Sequence, residues 1–105
     1  MSEFVHLHNH SDYSLLDGAA KIDSLVERAE GFGMKHLALT DHGNMFGALN
    51  FYKACKSADI NPVIGCELYV APGSRKLKRG TESKNRYNHF IALARNETGY
   101  RNLIK

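Results

Sequence analysis

The chain of 105 residues has no tryptophan, two prolines, two cysteines and no repeat or low-complexity tract. No stretch reaches the ~20 apolar residues needed to cross a bilayer, and the opening MSEFVHLHNH lacks the cationic region and apolar run of a secretory leader. These absences exclude a helical membrane anchor of that kind; a soluble, cytoplasmic protein without a membrane partner is expected. Two cysteines, Cys55 and Cys66, without CxxC spacing are too few for a disulfide scaffold, so both are expected as reduced thiols, on a helix and a buried strand respectively. Neither sign of charge dominates: 14 basic against 11 acidic residues leave +3, which permits an anionic partner without requiring one. With 43% hydrophobic and 24% charged residues, the composition excludes a disordered or fibrous chain and fits about one globular domain of the usual ~100 to 200 residues.

The apolar periodicity predicts strands alternating with helices, as in an α/β fold with about four parallel strands. Phe4 to His8 reads as the first strand. Ile22, Leu25, Val26, Ala29 and Phe32 form a helical stripe that stops near Gly31 and Gly33. His36 to Thr40 reads as the second strand. A second stripe, Ala48, Phe51, Tyr52 and Cys55, ends near Asp59, and Asn61 and Pro62 punctuate the return. Val63 to Ala71 is almost unbroken apolar sequence, as expected of a strand covered on both faces. The polar segment from Pro72 to Asn88 reads as a loop, Phe90 to Ala94 as the fourth strand, and Asn96 as the cap of a last helix on which Tyr100, Leu103 and Ile104 share a face. The absence of a stop signal after that helix suggests a cut inside a larger fold.

Six histidines carry the chemistry. His6, His8 and His10 alternate, so an extended backbone turns all three to one side. Thr40-Asp41-His42 stands at the exit of the second strand, Glu67 lies within the third, and His89 opens the fourth. Carboxyl ends of neighbouring parallel strands open onto one crevice, where His8, His10, His42, His89, Asp41 and Glu67 could meet. Neutral imidazole with carboxylate suits zinc, manganese or iron, and such sites commonly activate water for hydrolysis. Asp41 reads as an orienter of His42 through a hydrogen bond, or as a helix cap. His36 reads as a packed or solvated residue, and His6 as an interior support for the cluster. Cys66 points away from Glu67 and reads as packing. Asp12 and Asp17 flank a turn, with Asp17-Gly18 a good turn dipeptide. The basic run that includes Arg75, Lys76, Lys78 and Arg79 reads as a solvated loop, with phosphate contact as the alternative.

The stretch FVHLHNHSDYSLLDG resembles the opening motif of PHP domains, in the form that stands at the N-terminus of the bacterial DNA polymerase III alpha-subunit family. GMKHLALTDHGNMFGALNFYKACKSADINPVIGCELYV is similar to the second and third PHP motifs, and HFIALARNETGYRNLIK to the segment that follows. HxH and TDH belong to the whole superfamily; YSLLDG, FYKAC with NPVIGCELYV, and LARNETGYRNLI are the parts that resemble the replicative subunit. The resemblance implies the first part of a distorted (βα)7 barrel, without polymerase domains, and metal ligands at His8, His10, Asp17, His42, Glu67 and His89. It further implies two or three divalent ions in the full domain, a metal-dependent phosphodiesterase of the 3′ to 5′ exonuclease kind, and DNA and other replicase subunits, a proofreading subunit among them, as partners of the full-length polymerase. The later ligands of the family, a histidine and an Asp-x-His pair, have no counterpart before Lys105, so weak or no nuclease activity is expected of these residues alone. Rival readings are a metal-stapled scaffold without catalysis and a free-standing PHP phosphomonoesterase; a dimer that closes open sheet edges is a further expectation.

Overall fold

The computed structural model describes residues 4–14, 18–76 and 87–105. Its elements, in chain order, are α1 (Ile22–Gly31), β1 (His36–His42), α2 (Ala48–Ser57), β2 (Asn61–Val70), β3 (Asn88–Leu93) and α3 (Glu97–Ile104). The sheet has the order β1-β2-β3. Both apolar stripes become helices. Ile22, Val26 and Ala29 of α1 and Phe51 and Cys55 of α2 are buried with Leu37, Leu39 and Ile60 in one core on one side of the sheet. Phe32 departs from its stripe: it follows the last helical residue and is 75% exposed, because its N–H closes the helix end on the Arg28 carbonyl and its ring swings away from the core. Tyr52 is likewise exposed, on the outer flank of α2.

β1 and β2 pair in parallel, with His42 opposite Glu67 and Leu39 opposite Ile64. Alternation then sends Leu37, Leu39, Ile64 and Cys66 toward the helices and His42, Glu67 and Tyr69 to the other face. Cys66 is buried as packing, as predicted. β2 starts at Asn61, so Asn61 and Pro62 begin the strand instead of preceding it.

Two predicted strands differ. β3 pairs with β2 antiparallel, with Val70 opposite Asn88 and Tyr69 opposite His89. The last residue of β2 thus faces the first of β3, whereas in a parallel pair the strand starts lie side by side. The segment from Phe4 to His8 is not a strand of the sheet. It runs along the outer edge of β1, where the His6 carbonyl accepts from the Ala38 N–H (3.2 Å) and the Asn9 carbonyl from the Thr40 N–H (2.9 Å). A regular ladder is interrupted because the Asn9 side-chain amide donates to the carbonyls of both His6 and Ala38 (3.0 Å each), occupying acceptors that a backbone N–H would otherwise use. α3 is capped as predicted: the Asn96 Oδ1 accepts from the Gly99 N–H at 3.0 Å.

Candidate metal centre

Glu67 lies two-thirds of the way along β2 and is only 6% exposed. Among the described residues the ionic partners of its carboxylate are all imidazoles. His8 donates from Nε2 to Oε2 at 3.0 Å, and His10 makes a short contact from Nε2 to the same oxygen. His42 Nε2 lies 3.5 Å from Oε2, and His89 donates from Nδ1 to Oε1 at 3.0 Å. Burial alone would raise the Glu67 pKa; hydrogen bonds from His8 and His10, with the charges of His42 and His10, outweigh it and hold the carboxyl below its ordinary value.

Each imidazole arrives by a different route. His8 and His10 come on the edge segment fixed by Asn9 and Thr40, whose Oγ1 accepts from the Asn9 N–H at 3.0 Å. His42 is the last residue of β1, directly opposite Glu67. His89 is the second residue of β3, and only the antiparallel direction brings the start of this strand beside the carboxyl ends of β1 and β2. On a parallel strand the same position would lie at the far end of the sheet. The rings meet edge to face: His8 with His10 and His10 with His42 at 5.1 Å between centroids, His42 with His89 at 4.7 Å.

The donor atoms form two triads that share Glu67. His8, His10 and Glu67 make one, His42, Glu67 and His89 the other, and in each the ligand atoms lie within 4.8 Å of one another. Two nitrogens and a carboxylate oxygen per triad match the mixed donor set favoured by zinc, manganese and iron. A buried carboxylate faced by imidazoles, which can be neutral, also has the chemistry of a cation site.

Asp41 takes a different part from the predicted one. Its carboxylate, 1% exposed, accepts from the Ser11 N–H (2.6 Å), the Ser11 hydroxyl (2.7 Å) and the Ser14 hydroxyl (3.0 Å). The Ser14 oxygen in turn accepts from the His42 N–H at 2.8 Å. Asp41 therefore fixes the loop after His10 and acts on the cluster through backbone, neither through an imidazole ring nor as a cap of α2, whose N-cap residue Gly47 makes no side-chain cap bond. Gly18 closes this loop, its N–H donating to the Ser14 carbonyl at 2.8 Å; a Cβ there would stand 1.8 Å from the Ser11 carbonyl oxygen, so no larger residue fits.

His6 is exposed, its ring edge-on to Phe4 at 4.6 Å, and does not support the cluster from within. The interruption at Asn9 is the reason, since the segment never enters the sheet where an interior face would exist. His36 is half-buried at the far end of β1, with its Nδ1 3.1 Å from the Asn61 side-chain amide. Arg75 and Lys76 are exposed, whereas Asp17, Lys78 and Arg79 lie outside the described residues.

Sequence reasoning missed Tyr69. Its hydroxyl lies 2.6 Å from His42 Nδ1, and its ring packs at 5.1 Å against that of His42. The signal was present: Tyr69 stands two residues beyond Glu67, on the same face of the strand.

The PHP domain family model matches residues 6–105. The chain is 55% identical over 104 residues to the DNA polymerase III subunit alpha of Borreliella burgdorferi, covering 99% of this chain and 9% of that protein. It is 59% identical over 101 residues to the subunit of Treponema pallidum (96% and 9%) and 47% identical over 116 residues to that of Mycobacterium tuberculosis (99% and 10%). The chain thus spans about a tenth of the length of the curated relatives it matches. Among solved structures, one described as a metal-dependent phosphoesterase from Bifidobacterium adolescentis superposes with a TM-score of 0.66 at 19% identity, over 98% of this chain and 32% of that one. An amidohydrolase from Chromobacterium violaceum gives 0.65 at 24%, over 94% and 31%. These two share the mixed α/β fold, and with the match over residues 6–105 the chain belongs to the PHP domain family.

Proposed function

We propose that the chain is the N-terminal portion of the PHP domain of a bacterial replicative DNA polymerase alpha subunit, and that it holds part of a divalent-metal phosphodiesterase site. The observation that carries this reading is the buried Glu67 carboxylate met by His8, His10, His42 and His89 from three other parts of the chain. The identity to alpha subunits over nearly the whole chain supports the replicative context and with it a cytoplasmic setting. The strands β1 to β3 fit the opening of a distorted barrel. His8, His10 and Glu67, together with His42 and His89, would hold the ions, and the family motif puts Asp17 forward as a further ligand. Such ions polarise a phosphodiester and supply a water with a pKa near ~7 for attack on phosphorus. The chain's own residues hold and orient them: Asn9 and Asp41 fix the segment bearing His8 and His10. The substrate would be the 3′ end of DNA, with Arg75, Lys76, Lys78 and Arg79 as backbone contacts, and the partners the other replicase subunits, including a proofreading subunit.

One observation favours a second reading, in which the metal only staples the domain: the ligands join four segments far apart in sequence, as a structural site does. The two are separated in a polymerase that carries this chain. Removal of 3′-terminal nucleotides from labelled single-stranded DNA should depend on added manganese or zinc and disappear in His10→Ala. If His10→Ala loses metal but excises normally, the staple reading replaces the catalytic one. If elemental analysis finds equal metal in the unaltered and Glu67→Ala chains, both fall.

A further inference from the structure

His42 brings only one ring nitrogen, Nε2, toward Glu67; the other, Nδ1, faces the Tyr69 hydroxyl at 2.6 Å. A metal-bound imidazole needs its second nitrogen protonated and held, and the partner of that N–H fixes both the tautomer and the ring's direction. Among the described residues, the serine and asparagine side chains nearby bond to backbone groups or to Asp41, and the Tyr69 hydroxyl is the group that meets Nδ1. The surroundings keep it there. The Tyr69 ring packs between His42 at 5.1 Å and Tyr87 at 4.6 Å, with His89 at 5.7 Å. Its edge lies over Gly43, where a Cβ would come within 2.7 Å of the Tyr69 ring, and Gly43 has φ +64°, in the left-handed region that favours glycine. The Gly43 N–H donates to the Glu67 carbonyl at 3.0 Å, so the glycine that makes room for the phenol is tied to the residue that bridges the triads.

We infer that Tyr69 is a positioning residue for the His42–Glu67–His89 triad: it accepts the His42 Nδ1–H and leaves the Nε2 lone pair facing the ion. The inference rests on the metal reading of the site and gives it an asymmetry, because the His8–His10–Glu67 triad has no contact with Tyr69 among those described.

The test is a titration of the metal-free chain with cobalt(II), followed by its visible absorption, for the unaltered protein, Tyr69→Phe and Gly43→Ala. Two binding steps are expected for the unaltered protein. Tyr69→Phe should weaken one step by ~10- to 100-fold, the usual effect of losing a group that orients a metal ligand, and leave the other within about twofold. Gly43→Ala, which keeps the hydroxyl but displaces the ring, should weaken the same step. Thermal unfolding of metal-free Tyr69→Phe should match that of the unaltered chain, which separates positioning from a general packing role. Two unchanged steps in Tyr69→Phe overturn the inference and leave the metal reading intact; equal weakening of both steps, or loss of folding without metal in both variants, overturns it as well. No cobalt binding by the unaltered chain overturns both.

Discussion

At Glu67 burial opposes charge, and His8, His10 and His42 outweigh it and hold the carboxyl below its ordinary value. A carboxyl whose pKa is lower folded than unfolded stabilises the fold above its unfolded value and ceases to do so as pH falls through the folded one. The metal-free chain should therefore lose stability as pH drops below about 4.5, the ordinary value of this group. Glu67→Gln should flatten that loss, as read from urea midpoints across the acid range. Parallel acid profiles for the two proteins would show that other carboxyls carry the effect. Cys55 behaves in the opposite sense. Burial in the core pushes its thiol up to about 11, with Lys56 pulling weakly the other way. The thiol should stay protonated, and unreactive to iodoacetamide, well above pH 9; its contribution to stability is complete below the unfolded value of 9.0 and is lost as pH rises toward about 11. Mass spectrometry after labelling with and without denaturant reads this directly, and rapid alkylation of the native protein near neutral pH would contradict the buried position.

At the scale of elements, the histidine positions were legible because ligand chemistry is written in residue types, and α1 and α2 because the core reads one face of each helix. What periodicity could not convey was direction and edge. The alternation around Phe90 is the same for a parallel and an antiparallel strand, so only the pairing of Val70 with Asn88 reveals that His89 enters the site at a strand start. The alternation of His6, His8 and His10 likewise resembles a strand, yet one side-chain amide, that of Asn9, holds the segment at the sheet's edge and leaves His6 in solvent. Nor does hydrophobic pattern report on Asp41 or Tyr69, whose roles lie in hydrogen bonds between segments. Asn9 gives the corresponding prediction. Asn9→Ala removes two side-chain bonds, one of them to β1, and should cost about 1 to 3 kcal/mol. It should also weaken the metal step served by His8 and His10 and spare the one served by His42 and His89. A variant with full stability and both steps intact would mean that the edge segment is held by its backbone bonds alone. In the core, Phe51→Ala should cost ~3 to 5 kcal/mol, since Phe51 is fully buried between the helices and the sheet.

For the whole molecule, the site is where distant parts of the chain are joined. His8 and His10 lie 59 and 57 residues from Glu67, and His89 lies 22 residues from it. The edge segment is held to β1 by bonds at His6 and Asn9 and the start of β3 by its pairing with β2, and both carry exposed residues, His8 and His89 among them. An ion that binds only the folded arrangement stabilises it by mass action, ~2.7 kcal/mol when free metal stands at 100 times its dissociation constant. For a domain of this size that corresponds to a rise on the order of 10 to 20 °C in the unfolding midpoint, at ~4 to 8 °C per kcal/mol. Zinc or manganese should therefore raise the midpoint of the metal-free chain by that order and a chelator should reverse the rise. In His8→Ala/His42→Ala, which takes one ligand from each triad, the same addition should produce little change, because each ion would keep only one imidazole and its share of Glu67. Unmoved midpoints in the unaltered chain would mean that the four imidazoles and the carboxylate hold one another well enough without an ion. An equal rise in the double variant would locate the bound metal elsewhere on the molecule, and the convergence on Glu67 would then have to be explained as a hydrogen-bonded polar cluster.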